Sequence, residues 1–171
     1  MSISAASAFI AGLSFGGTVI WAGIMDLRTM RIRNELVLFL IGVYAALAPL
    51  AGWSVGEIGM SAAASAGVLV CAFICFGFGW IGGGDAKLAS VIVLWLGAEQ
   101  TMSYLFWAAL GGGALTLIVL QFRAMALPSY CLRYPWIMRL HDKRVGVPYG
   151  VALAAAALVV FPETSWMKFL S

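Results

Sequence analysis

Seven of the 171 residues are acidic, and two of them, Asp26 and Asp85, sit where an apolar run meets a polar loop. Asp26 closes the first run and precedes "LRTMRIRN"; Asp85 follows three glycines, Gly82, Gly83 and Gly84, and opens "AKLASVIVLWLG". Two carboxylates held close cannot both ionise readily, so they share a proton. One can then take a proton from an attacking water while the other hydrogen-bonds the carbonyl under attack, which hydrolyses a peptide bond without a covalent intermediate. Rival chemistries lack their residues. His141 is the single histidine, and Cys71, Cys75 and Cys131 form no C-x-x-C pair and read as small apolar packing residues. No helix carries metal-ligand spacing. A phosphate loop needs Gly-Lys-Ser/Thr, but Lys87 follows Ala86, and a dinucleotide fingerprint needs glycine where Lys87 stands. Gly-Gly-Gly-Asp before a helix also fits an ordinary loop in which Asp85 is the N-cap.

The elements that must position these carboxylates are membrane helices. Hydrophobic residues make up 63% of the chain and charged residues 10%, whereas a soluble domain carries about 25% charged residues; mean hydropathy is +1.01. A net charge of +3 serves membrane orientation here, and no nucleic-acid partner is expected. Six apolar stretches stand out: Ala5–Met25, Leu36–Trp53, Ile58–Ile81, Ala86–Ala98, Met102–Phe122 and Val147–Phe161. Each is too long for a membrane strand of about ten residues and lacks strict alternation. The expectation is an all-α membrane protein, a bundle of about six transmembrane helices forming a single domain over residues 1–171. No Lys or Arg precedes Arg28, so the first stretch reads as a mature helix and not a secretory signal.

Basic residues collect in loops that stay in the cytoplasm. Nine of the ten fall in alternate loops: Arg28, Arg31 and Arg33, then Lys87, then Arg123, Arg133, Arg139, Lys143 and Arg144, with Lys168 alone on the other side. Both termini are therefore expected outside the cytoplasm, with Asp26 and Asp85 at the same, cytoplasmic depth. Asp85 opens a helix and Asp26 closes one, so they meet opposite ends of the helix dipole. Glu57, Glu99 and Glu163 are expected on the opposite face, while Glu35 and Asp142 lie in or beside basic loops and read as solvated ion pairs. The fourth stretch is 13 residues, about 20 Å of helix against a hydrocarbon core of about 30 Å. Its glycines read as a non-helical break below the headgroups, tolerated where protein or a watery cavity satisfies the backbone. An ionisable group at such depth points to function. Gly111, Gly112 and Gly113 read as a close helix-packing face.

At these residues the chain resembles the bacterial type IV prepilin peptidases, specifically the small form associated with Flp pili and tight adherence. The likeness covers nearly the whole chain and rests on "DLRTMRIRNELV" at Asp26–Val37, on "GGGDAKL" at Gly82–Leu88, which fits the family's G-x-G-D, and on "VPYGVALAAA" at Val147–Ala156. It implies a membrane-embedded aspartic endopeptidase with Asp26 and Asp85 as the catalytic pair. Gly82, Gly83, Gly84, Lys87 and Asn34 would support the active-site loops, and Pro148, Tyr149 and Gly150 would stand on the substrate side. The implied substrate is a prepilin, leader plus hydrophobic helix, cut at the cytoplasmic face of the inner membrane, with no cofactor and no metal. Longer relatives carry a cytoplasmic segment with paired C-x-x-C motifs linked to N-methylation; that segment is absent here, so no methyltransferase activity and no zinc are expected. Many relatives have Ile-Pro-Asn where this chain has Ile32, Arg33 and Asn34. The loop at Arg123–Gly146, with Tyr130, Tyr134 and Trp136 among arginines, suits the headgroup layer, either bordering the site's mouth or as an interfacial anchor alone. Two other functions fit the same aspartates: a small proton- or cation-coupled transporter or channel subunit, and a non-catalytic pilus-assembly scaffold. Transporter sites lie near the bilayer midplane, often between internal repeats. The acids here lie at one face, and the halves show no convincing repeat.

Overall fold

A computed structural model describes residues 3–128, 131 and 133–168, the side chains of Ser4 and Lys168 excepted. Among the described residues there are helices and no strand: α1 (Ile3–Thr29), α2 (Asn34–Leu50), α3 (Val55–Gly77), α4 (Gly83–Leu96), α5 (Thr101–Ala124), α6 (Pro135–His141), α7 (Tyr149–Val160) and α8 (Ser165–Lys168), the last after a 3-10 turn at Phe161–Glu163. Each expected apolar stretch forms one helix. By length and composition α1, α3 and α5 can cross a membrane; Asn34–Leu50 and Tyr149–Glu163 are shorter apolar helices, and α4 has 14 residues, about 21 Å. The basic loop holds a further short helix, α6; Tyr130 of that loop lies outside the described residues.

Local chemistry sets the ends. Ser54 and Glu57 form a capping box at the start of α3, with the Ser54 N–H on Glu57 Oε2 at 2.7 Å and the Glu57 N–H on Ser54 Oγ at 3.2 Å. Gly97, at φ 86, stops α4 in a conformation that costs glycine little. Arg33 precedes α2 at φ −73, the value a proline ring would impose. It therefore keeps a backbone in which proline would also fit, and its guanidinium pairs with Glu35.

The two short helices form the interior. α4 packs against α2, α3, α5 and α7, and α7 against α1, α4 and α5. α4 buries side chains on every face, among them Leu88, Ile92 and Trp95, as a helix apolar all round must. α7 does so with alanines, Ala152, Ala154, Ala156 and Ala157 being buried. Small residues let neighbours close in: a Cβ on Gly23 of α1 would stand 3.2 Å from the Ala154 Cβ, and one on Gly111 of α5 3.7 Å from the Ala152 Cβ. At the end remote from the aspartates, α8 inserts Trp166. Its Nε1 donates to the Trp95 carbonyl at 2.9 Å, and Trp95 Nε1 donates to that of Leu40 at 3.1 Å.

Candidate active site

Asp26 lies within α1, in its last turn. The Met30 N–H closes that turn on the Asp26 carbonyl at 2.7 Å. Met30 itself takes the left-handed conformation, φ 54, uncommon for a side chain outside glycine and asparagine, and reverses the chain so that Arg31 and Ile32 return over the helix end. The Arg139 guanidinium of α6 donates to the Arg28 carbonyl at 2.9 Å, so the basic loop holds the end of α1. Asp26 is 5% exposed, and its Oδ2 accepts the Gly150 N–H at 2.8 Å. Gly150 is in the first turn of α7, where no backbone carbonyl is available to the N–H. Asp26 thus closes α1 and also caps α7, meeting the positive end of a second helix dipole as well as the negative end of its own.

Asp85 is the third residue of α4, and Gly82 is the N-cap, at φ −75 and ψ 144. The glycines as a non-helical break, and the alternative of Asp85 as the N-cap, both need correction. Gly83 and Gly84 are already helical, and none of the three glycines has positive φ; the turn that needs it falls upstream, at Gly79, φ 74. What the triplet provides is space. A Cβ on Gly82 would stand 2.8 Å from Asp85 Oδ2, and one on Gly84 3.2 Å from the Ile32 Cβ; at Gly83 the nearest neighbour is the Phe76 ring at 3.4 Å. Gly82 leaves room for the carboxylate, and Gly84 lets the loop after α1 lie against the start of α4.

The two carboxylates face one cavity of about 310 Å³, walled by Asp26 and Met30–Ile32 on one side and by Gly82–Asp85 on the other. Ligand pockets run from about 300 Å³ upward, so the space suits a short length of extended chain. Lys87 Nζ donates to Asn34 Oδ1 at 3.0 Å, tying α4 to the first residue of α2; neither residue lines the cavity. Pro148 is the N-cap of α7, Gly150 touches Asp26, and the Tyr149 hydroxyl meets the Thr116 hydroxyl of α5 at 3.0 Å. Glu57, Glu99 and Glu163 line a different cavity, about 390 Å³, at the Trp53 end of the bundle. Asp142 accepts the Arg144 N–H at 2.9 Å. Met30, Arg31 and Ile32 also wall the cavity, and their one sequence signal is their place just after Asp26. Thr116 carries no sequence signal at all.

Residues 13–117 match the type IV leader peptidase family, a stretch that includes Asp26 and Gly82–Asp85 and ends before α7. The prepilin leader peptidase/N-methyltransferase of Bacillus subtilis (strain 168) is 28% identical over 151 residues, which cover 86% of this chain and 53% of that protein. The chain therefore spans about half the length of this curated relative. No solved structure matches it.

Proposed function

Because the chain belongs to the type IV leader peptidase family, we propose that it is a membrane-embedded aspartic endopeptidase that removes the leader from type IV, Flp-type prepilins, with Asp26 and Asp85 as its catalytic pair. The observation that carries this is the convergence of two carboxylates, from α1 and α4, on one cavity. One aspartate takes a proton from water as its oxygen attacks the scissile carbonyl carbon, and the other hydrogen-bonds the carbonyl oxygen. The tetrahedral intermediate then collapses as the leaving nitrogen gains a proton and the C–N bond breaks. The glycines and Ile32 keep the start of α4 against the end of α1, and Gly150 fixes Asp26. Among the described residues no three His, Cys, Asp or Glu side chains come together as a metal site. Co-expression with a prepilin from the same genome tests the activity: the pilin should lose the mass of its leader. Purified protein should cleave equally well with chelators present and after Cys71, Cys75 and Cys131 are all replaced by alanine. Chelator-sensitive turnover would count against the aspartyl mechanism.

The same proposal sets the site at the cytoplasmic face of the inner membrane, in a bundle of six spans with both termini outside. Its support is the nine-to-one split of basic residues under the positive-inside rule, together with Arg31 in the cavity wall. Reporter fusions after Trp53 and Gln100 should report the outer side, and fusions near Arg31 and Arg139 the cytoplasm. A cytoplasmic reading at Gln100 would reverse α4 and break the orientation.

A further inference from the structure

The aspartate on α1 is held by a helix that α5 holds in turn. Gly150 meets Asp26 through a single N–H, at 2.8 Å, and there is no slack: a Cβ on Gly150 would stand 2.8 Å from Asp26 Oδ2 and 2.9 Å from its Cβ. Any shift of the first turn of α7 therefore moves the carboxylate or breaks the bond. That turn is fixed one residue earlier. The ring of Tyr149 lies on Gly112 of α5, where a Cβ would approach Cδ1 and Cε1 at 3.3 Å, and its hydroxyl is 3.0 Å from Thr116 Oγ1. Thr116 places its one proton on the Gly112 carbonyl at 2.8 Å, so its oxygen accepts and Tyr149 donates. The segment leading into α7 is anchored to the same helix by buried Arg123, which donates Nε to the Leu140 carbonyl and Nη2 to the Gly146 carbonyl, both at 2.8 Å.

We propose that Tyr149 is a positioning residue for the reaction: its hydroxyl bond to Thr116 and its seat on Gly112 hold the Gly150 N–H on Asp26, so that α5, which contributes no side chain to the cavity wall, sets the orientation of one catalytic carboxylate. This rests on the peptidase function proposed above and changes the part given to Tyr149. A residue on the substrate side would govern binding, whereas one that aims Asp26 governs the chemical step.

The test uses the full chain, purified in lipid nanodiscs, with a synthetic prepilin segment carrying leader and apolar helix. Tyr149→Phe and Thr116→Val each delete the hydroxyl bond and should lower kcat about tenfold, the scale of one hydrogen bond, with KM unchanged. Thr116→Ser, which keeps the hydroxyl, should restore turnover. The double variant Tyr149→Phe/Thr116→Val should be no slower than either single one, because both remove the same bond. A raised KM at unchanged kcat would overturn the proposal in favour of substrate contact. Wild-type kcat with a lowered melting temperature would overturn it in favour of a purely structural bond. In both cases an inactive Asp26→Asn control leaves the peptidase function standing, whereas cleavage by that control would remove the function itself. If Tyr149→Phe does not fold, Thr116→Val and Thr116→Ser, which leave the ring on Gly112, carry the same comparison.

Discussion

Asp26→Asn and Asp85→Asn are each expected to abolish leader cleavage, with losses at or beyond the 10²–10⁴-fold range that one general acid or base contributes. The substitution keeps the shape of the side chain. An asparagine oxygen at position 26 can still accept the Gly150 N–H that now meets Oδ2 at 2.8 Å, so the α1–α7 contact survives and the protein should insert and bind prepilin. What is lost is the group that exchanges a proton with water or substrate. Asp85→Asn leaves the start of α4 intact for a similar reason, since Asp85 is not its N-cap; Gly82 is. The pair acts as a unit, so the double variant should be scarcely slower than either single one. Asp142→Asn is the control: that carboxylate accepts the Arg144 N–H in the basic loop and should cost little. The measurement is the rate of leader removal by purified, folded variants. Near-normal turnover by Asp85→Asn would end the peptidase function.

Adding one methyl group at each glycine around the pair should give a graded series. Gly150→Ala is expected to be the most damaging, because its Cβ would overlap both the carboxylate and the Cβ of Asp26, at 2.8 and 2.9 Å, and the latter cannot move without α1. Gly82→Ala brings a Cβ within 2.8 Å of Asp85 Oδ2 alone, so the carboxylate must rotate away. Displacement of a reacting group by about 1 Å can cost about 10²-fold, and both variants should lose at least that in kcat. At Gly84 the neighbour is the Ile32 Cβ at 3.2 Å, and a smaller loss is expected as the loop shifts. Gly83→Ala meets the Phe76 ring at 3.4 Å, which can turn aside, and should stay within a few-fold of wild type. Melting temperatures measured alongside separate active-site displacement from unfolding. A Gly83→Ala variant as slow as Gly82→Ala would mean that the triplet acts through backbone flexibility and not through space.

The sequence by itself determined the helices and their apolar character, and it marked two aspartates as candidates. Apolar length acts between neighbours along the chain, so the six stretches were legible in it. Asp26 and Asp85 stood out in it as candidates, since carboxylates bordering apolar runs are costly unless used. Which helices would be interior was not legible. In a soluble protein hydrophobicity marks the inside, but in a membrane chain the lipid-facing residues are apolar too, and α3 is more apolar than the central α4 while leaving nearly all of its most apolar stretch outside the interior. Tertiary structure alone decided that Gly82–Gly84 are needed for room and not for positive φ, and that the basic loop returns Arg139 to the end of α1. It alone put Gly150 on Asp26 and Tyr149 on Thr116. Those contacts join residues 124 and 33 positions apart, and their geometry follows from how α7 settles between α1 and α5, which local pattern and charge do not specify.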